Sequence, residues 1–158
     1  MQLGWNITNW RQINIDSRKN EFEAYPAFGK YFRNAALARI AAKEYFNLGE
    51  MVRKVRITSN VPTKKILWLM WGFDRTGDFP LVRTCSFNYK GKTMVCFTSI
   101  SDKSENISWK SSFSDLNLKN KKSYKLTEIY PKKESKVLNS LEDTFSMSPF
   151  ETKIFVIE

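Results

Sequence analysis

The side chains that could do chemistry in this 158-residue chain are few and scattered. Histidine is absent, which excludes an imidazole-dependent metal site or a nucleophile–histidine–acid triad. Without a histidine to activate them, Cys85 and Cys96 offer no nucleophile of the Cys-His kind, and two thiols do not make a Cys-rich zinc site. Hydrolysis of a glycosidic bond needs two carboxylates opposed across it, roughly 5 to 10 Å apart. The candidates are Asp16, Glu21, Glu23, Asp74 and Asp78, all in polar, loop-like stretches with nothing nearby to tune them. They read as solvated carboxylates. The glycines are dispersed and form no phosphate-cradling loop. No catalytic residue, metal or cofactor is assigned. Asn6-Ile7-Thr8 and Asn106-Ile107-Ser108 match the glycosylation acceptor pattern, one that arises easily by chance.

Binding residues remain. Trp5 and Trp10 lie in a polar lead-in; exposed, they are stacking platforms, and buried, they are core. Trp68 and Trp71 are three apart in a strand-like run and so point to opposite faces. Trp109 sits among polar residues, NISWKSSF, and is expected to form an exposed surface on which a sugar ring could stack. The net charge of +10 raises the nucleic-acid question. The lysines, however, fall in turn-like positions (Lys90, Lys92, Lys119, Lys121, Lys122, Lys132 and Lys133), with no basic face interleaved with aromatics. A nucleic-acid partner is not expected. No run approaches the roughly 18 apolar residues of a membrane span, and the N-terminus lacks the layout of a signal peptide. A signal upstream of a longer chain would be invisible, and no compartment is assigned.

Behind these residues stands one long helix, read over Ala27 to Leu48, with Pro26 and Gly49 as start and stop signals. Wound at about 100° per residue, it has one apolar stripe of Tyr31, Ala35, Ala38, Ala42, Tyr45 and Phe46. A second group, Leu37, Ile40, Ala41 and Leu48, falls on the opposite side. A surface helix needs only one apolar face. Two faces, lined by small alanines, point to a helix wedged between two bodies.

After Gly49 the period changes to two. Strands are read at Met51 to Ser59, at the apolar run Lys65 to Phe73 (a central, two-sided strand), and at Leu81 to Tyr89 and Lys92 to Ile100. Further strands are read at Asn106 to Phe113, Ser123 to Tyr130, Val137 to Leu141, Thr144 to Met147 and Thr152 to Ile157. Asp74 to Asp78 reads as a turn cluster. Lys90-Gly91 joins the clearest hairpin; pairing Tyr89 with Lys92 places Cys85 opposite Cys96, with Phe87 and Met94 on their face and Val82, Val95 and Phe97 on the other. The cysteines fall at a hydrogen-bonded pair, where side chains stand further apart, so free thiols are expected rather than a bridge. The whole predicts a mainly β fold, an antiparallel β-sandwich of about eight strands with one long N-terminal helix packed on it. Residues 1–50 form the strand, loop and helix, and residues 51–158 the sandwich.

Three stretches, ALARIAAKEYFNLGEMVRKVRI, KTMVCFTSISDKSENISWKSSFSDLNL and FSMSPFETKIFVIE, resemble the C-terminal end of glycoside-hydrolase-like (β/α)8 proteins. They are similar, respectively, to the last barrel helix with the entry to an appended sandwich, to a sandwich hairpin leading to a leucine step, and to the closing strands. One departure is Thr98-Ser99 in place of an asparagine common there. The resemblance implies that Leu3 to Ile7 is the last barrel strand and Thr8 to Tyr25 the loop after it, on the active-site side. Trp5, Trp10 and Arg11 would then meet carbohydrate, with Trp109 a further contact in the sandwich. The catalytic carboxylates would lie on earlier strands absent from this chain. The expected function is a non-catalytic, accessory C-terminal β-sandwich module with weak glycan contact. Its partner would be a catalytic barrel domain, or a second copy, against the helix. The alternative is a protein-interaction or oligomerising module using the helix and sheet edges.

Overall fold

The structure, a computed structural model, describes residues 26–70 and 73–158 and is mainly β. The chain enters through α1 (Pro26–Ala41) and α2 (Lys43–Leu48) and continues through β1 (Glu50–Val52), β2 (Arg56–Ile57), β3 (Thr63–Met70) and β4 (Phe73–Pro80). The hairpin strands β5 (Val82–Tyr89) and β6 (Lys92–Ser99) follow, then β7 (Glu105–Lys110), β8 (Tyr124–Tyr130), β9 (Glu134–Leu138), β10 (Glu142–Met147) and β11 (Thr152–Ile157). Six strands form one antiparallel sheet in the order β1-β5-β6-β11-β8-β9, and three form a second, β10-β7-β2.

The Lys90-Gly91 turn sets the register of the large sheet. A two-residue loop matches the twist of its strands when both residues take positive φ, and here Lys90 has φ 52° and Gly91 φ 74°. Tyr89 pairs with Lys92 and Cys85 with Cys96, as the spacing predicts. Alternation then divides the sheet's side chains between two apolar layers. Val82, Val95, Phe97, Leu126 and Phe155 meet Ile107, Trp109 and Met147 of the small sheet in the sandwich core. On the other face, Phe87, Met94, Cys96, Ile154 and Val156 meet Ala38 and Ala42 of the helix. This explains why β11, TKIFVI, is buried at every position: it is covered on both sides.

The helix forms almost as read. Its path is interrupted only at Ala42 (φ −115°, ψ 26°), whose backbone still donates to the Ala38 carbonyl at 3.1 Å and accepts from Phe46 at 3.2 Å. Ala38 and Ala42 are fully buried against the sheet. Their methyl groups let the helix backbone sit close, where larger side chains would hold it off. The Asn34 amide donates to the Phe150 carbonyl at 2.9 Å and accepts from the Tyr130 hydroxyl at 3.3 Å, tying the helix to the end of the large sheet.

Several strand readings are corrected. Met51 to Ser59 is not one strand: β1 belongs to the large sheet and β2 to the small one, with Val55, buried between them, at the crossing. Among the described residues, Lys65 to Phe73 is not central. β3 pairs with β4 in a separate two-stranded sheet, Thr63 opposite Pro80 through Met70 opposite Phe73. Asp74 to Asp78 is consequently strand and not turn, since pairing uses backbone groups that polar residues supply as well as apolar ones. β9 begins three residues before Val137, at Glu134. These splits raise the count among the described residues to eleven strands.

Candidate functional site

Of the residues expected to meet carbohydrate, Trp5, Trp10 and Arg11 lie outside the described residues, as do the expected strand at Leu3 to Ile7 and loop at Thr8 to Tyr25. The faces taken by Trp68 and Trp71 fall outside them too. Trp109 is only 1% exposed, which overturns the expectation of a stacking surface there. Period two is the reason: Ile107 and Trp109 enter the core, while Asn106 and Lys110 face outward. The polar neighbours marked the outer half of a strand. The indole ring lies 6.2 Å from that of Phe97, and its Nε1 is buried without a hydrogen-bond partner among the described residues.

Of the candidate carboxylates, Asp16, Glu21, Glu23 and the Asp74 side chain lie outside the described residues. Asp78 is exposed on β4, and no group of three or more metal-capable side chains occurs among the described residues. Cys85 and Cys96 are free thiols facing each other beneath the helix. The hydrogen bond from Cys96 lowers the pKa of Cys85, while that bond and burial push Cys96 well above the ordinary thiol range. Cys85 is the thiolate former of the pair.

A different set of residues converges at the edge of the sandwich. A cleft of about 370 Å³ lies between β8, β9 and β11 of the large sheet and β10 of the small one. Lys153 stands on β11 with the inward parity of Phe155, and its side chain is only 10% exposed. Its ammonium lies 3.8 Å from Glu128 and 3.9 Å from Glu151, beyond hydrogen-bond length of both, and 5.8 Å from the centre of the Phe145 ring. Glu128 instead accepts the backbone N–H of Lys132 at 3.2 Å. Across the cleft, Lys136 on β9 donates to Asp143 Oδ1 on β10 at 2.6 Å, an ion pair joining the two sheets. Asp143 Oδ2 is buried and has no partner among the described residues. Sequence reading passed over this cluster, although a signal existed. Lys153 and Glu128 share the inward parity of Phe155 and Leu126 on their strands, and charge at a core position is rare without a purpose.

Two other surfaces are notable. A groove of about 570 Å³ beside β2 and β5 is lined by Arg53, Lys54, Arg56 and Arg83 and by no carboxylate, although Asp115 holds Arg53 at 3.0 Å. On the helix, Leu37 is 42% exposed, Ile40 67% and Leu48 65%. The second apolar stripe read from the sequence is therefore open. No described helix is long and apolar enough to cross a membrane.

No known protein family and no curated protein matches the sequence. Solved structures that match part of the chain, all at low similarity, include glycoside hydrolases. A GH27 β-L-arabinopyranosidase from Geobacillus stearothermophilus is 16% identical over 49% of this chain and 17% of its own, with a TM-score of 0.39. A candidate α-N-acetylgalactosaminidase from Bacillus halodurans is 8% identical over 61% of this chain and 21% of its own, at 0.41. An α-amylase from Geobacillus thermoleovorans is 7% identical over 61% and 18%, at 0.38. The chain thus spans 17 to 21% of the length of these enzymes.

Proposed function

We propose that this chain is a non-catalytic β-sandwich module of a glycoside-hydrolase-like protein, an accessory that supports a catalytic (β/α)8 domain seated on the outer face of its helix. One observation carries the reading. The helix is apolar on two sides, and only one of them, Ala38 and Ala42 with their neighbours, is covered by the sheet. The stripe of Leu37, Ile40 and Leu48, with Met51 just beyond it, is exposed. Exposed large apolar side chains aligned in this way are characteristic of a surface that another body covers. The sequence resemblance makes a barrel the body of choice, with the catalytic carboxylates on that missing part. Glycan contact, if made by Trp5, Trp10 and Arg11, would be on the barrel side.

The test uses the chain alone, intact and with Leu37→Gln, Ile40→Gln and Leu48→Gln combined. The intact chain should bind a hydrophobic dye and self-associate weakly as concentration rises; the triple variant should do neither and keep its unfolding midpoint. It should release no product from a panel of p-nitrophenyl glycosides. An intact chain that binds no dye and stays monomeric sinks the docking face, and genuine turnover sinks the non-catalytic half. A stable, saturating dimer abolished by the same substitutions would identify the alternative, an oligomerising module whose helix receives a second copy.

A further inference from the structure

We propose that the cleft between the two sheets, floored by Lys153 and Phe145, is a binding site for one or two units of a neutral saccharide. The proposal rests on the carbohydrate-related reading above only for its choice of ligand class. The site itself stands on three observations of its own.

First, the charges are built in. Lys153 and Glu128 are about nine-tenths buried, Lys153 on a strand buried at every position and Glu128 on the inward face of β8 with Tyr124 and Leu126. Burying an ammonium and a carboxylate costs several kcal/mol per ion, and that cost is offset only by close, well-formed hydrogen bonds. Separations of 3.8 and 3.9 Å do not provide them. Second, hydrogen-bonding capacity on the cleft wall is unspent. The Lys153 ammonium has no acceptor within hydrogen-bond length among the described residues, and Asp143 uses one of its two oxygens. Third, the space has the right size and lining. A volume of about 370 Å³ sits at the small end of the roughly 300–1,000 Å³ typical of ligand sites, and the Phe145 ring supplies an apolar surface for the C–H face of a pyranose.

The charge balance fits that ligand class. Lys132, Lys136 and Lys153 line the cleft with Glu128, Glu134 and Asp143, so it carries no net charge. A carboxylate or phosphate ligand would be repelled by the three carboxylates, and an organic cation by the three ammonium groups. A vicinal diol suits both, because each hydroxyl accepts from an ammonium while it donates to a carboxylate. Ser135 and Ser146 add hydroxyls to the rim.

The experiment is calorimetric titration of the chain with D-glucose, D-galactose, maltose and lactose, with D-glucuronate as the anionic comparator. At least one neutral sugar should bind with a millimolar or tighter Kd. Lys153→Met should weaken it tenfold or more while the unfolding midpoint holds or rises, since the buried ammonium is relieved. Asp143→Asn should also weaken it, and the helix variant Ile40→Gln should leave it unchanged. Absence of binding to all four neutral sugars overturns the proposal, as does tenfold tighter binding of glucuronate. Binding retained within twofold in both cleft variants would overturn it as well. None of these failures touches the helix docking face, which the dye and light-scattering measurements judge separately.

Discussion

The burial of Trp109 makes a prediction in which two substitutions at one site have very different consequences. Its indole is 1% exposed and packs against Phe97. Truncation to alanine should cost about 3–5 kcal/mol, the usual loss for a large aromatic removed from a core. Trp109→Phe is different. It removes three heavy atoms, and the two carbons among them cost about 1.6 kcal/mol at roughly 0.8 kcal/mol per buried carbon group. The third is Nε1, buried without a hydrogen-bond partner among the described residues. Removing such a donor recovers a desolvation penalty of about 1–3 kcal/mol. The two terms are of opposite sign and similar size, so Trp109→Phe should lie within about 1 kcal/mol of wild type. Urea unfolding followed by circular dichroism reads both values with one baseline, and sugar binding by the cleft should be unchanged in Trp109→Phe. A loss of 3 kcal/mol or more in the phenylalanine variant would refute the reasoning, because it would mean that the N–H is satisfied. A negligible loss in the alanine variant would place the ring on the surface after all.

Gly49 is a second test, because its backbone (φ −79°, ψ 148°) suits any residue and only space is at issue. A methyl group there would overlap the Tyr45 carbonyl oxygen and approach the Asn88 carbonyl oxygen to 3.2 Å, so Gly49→Ala should cost about 1–3 kcal/mol, measured by the same denaturation. At the helix–sheet junction, burial raises the pKa of Tyr31, Tyr45 and Tyr130, and Cys96 is raised by its bond to Cys85 and by burial. Each favours the neutral folded form, so its stabilisation is present below the ordinary values of 10.0 and 9.0 and is lost as pH rises through the higher folded ones. Cys85, lowered, runs the other way and offsets part of the loss. The urea midpoint should be flat near pH 8 and fall above about pH 9–10; a rise there contradicts the assignment. Alkylation near neutral pH followed by peptide mapping should label Cys85 before Cys96, and the reverse order would show that the hydrogen bond runs the other way. Ala38→Leu should cost about 1–3 kcal/mol by overpacking, whereas Ile40→Gln should stay within about 0.5 kcal/mol.

Local rules carried the reading where one rule acted alone. The Lys90-Gly91 hairpin needed only turn chemistry and alternation, and its register and both faces were legible. Pro26 and Gly49 marked the helix ends and its two apolar stripes were legible, but the pattern alone did not say that the sheet buries one and leaves the other exposed. Reading failed where a strand's partners lie far along the chain. Nothing local in Met51 to Ser59 says that it leaves one sheet for another, because Val55 is apolar on either reading. The run Lys65 to Phe73 has the composition of a central strand, yet among the described residues it pairs only with the polar segment that follows it. Trp109 was judged by its neighbours' polarity instead of by its own parity with Ile107, which pointed inward throughout.

The same parity rule bears on the cleft. β11 is covered by the helix on one face and by the small sheet on the other, so every side chain it carries is core. On such a strand a lysine cannot reach water by leaning aside, as it would on a half-exposed strand. Lys153 escapes complete burial only because β10 leaves room beside it, and the room it keeps is the cleft. Met or Leu at this position would be of similar size and carry no buried charge to desolvate, so stability alone favours the substitution. A cation kept there, with its carboxylates at 3.8 and 3.9 Å instead of in contact, is best accounted for by what it can hold between them.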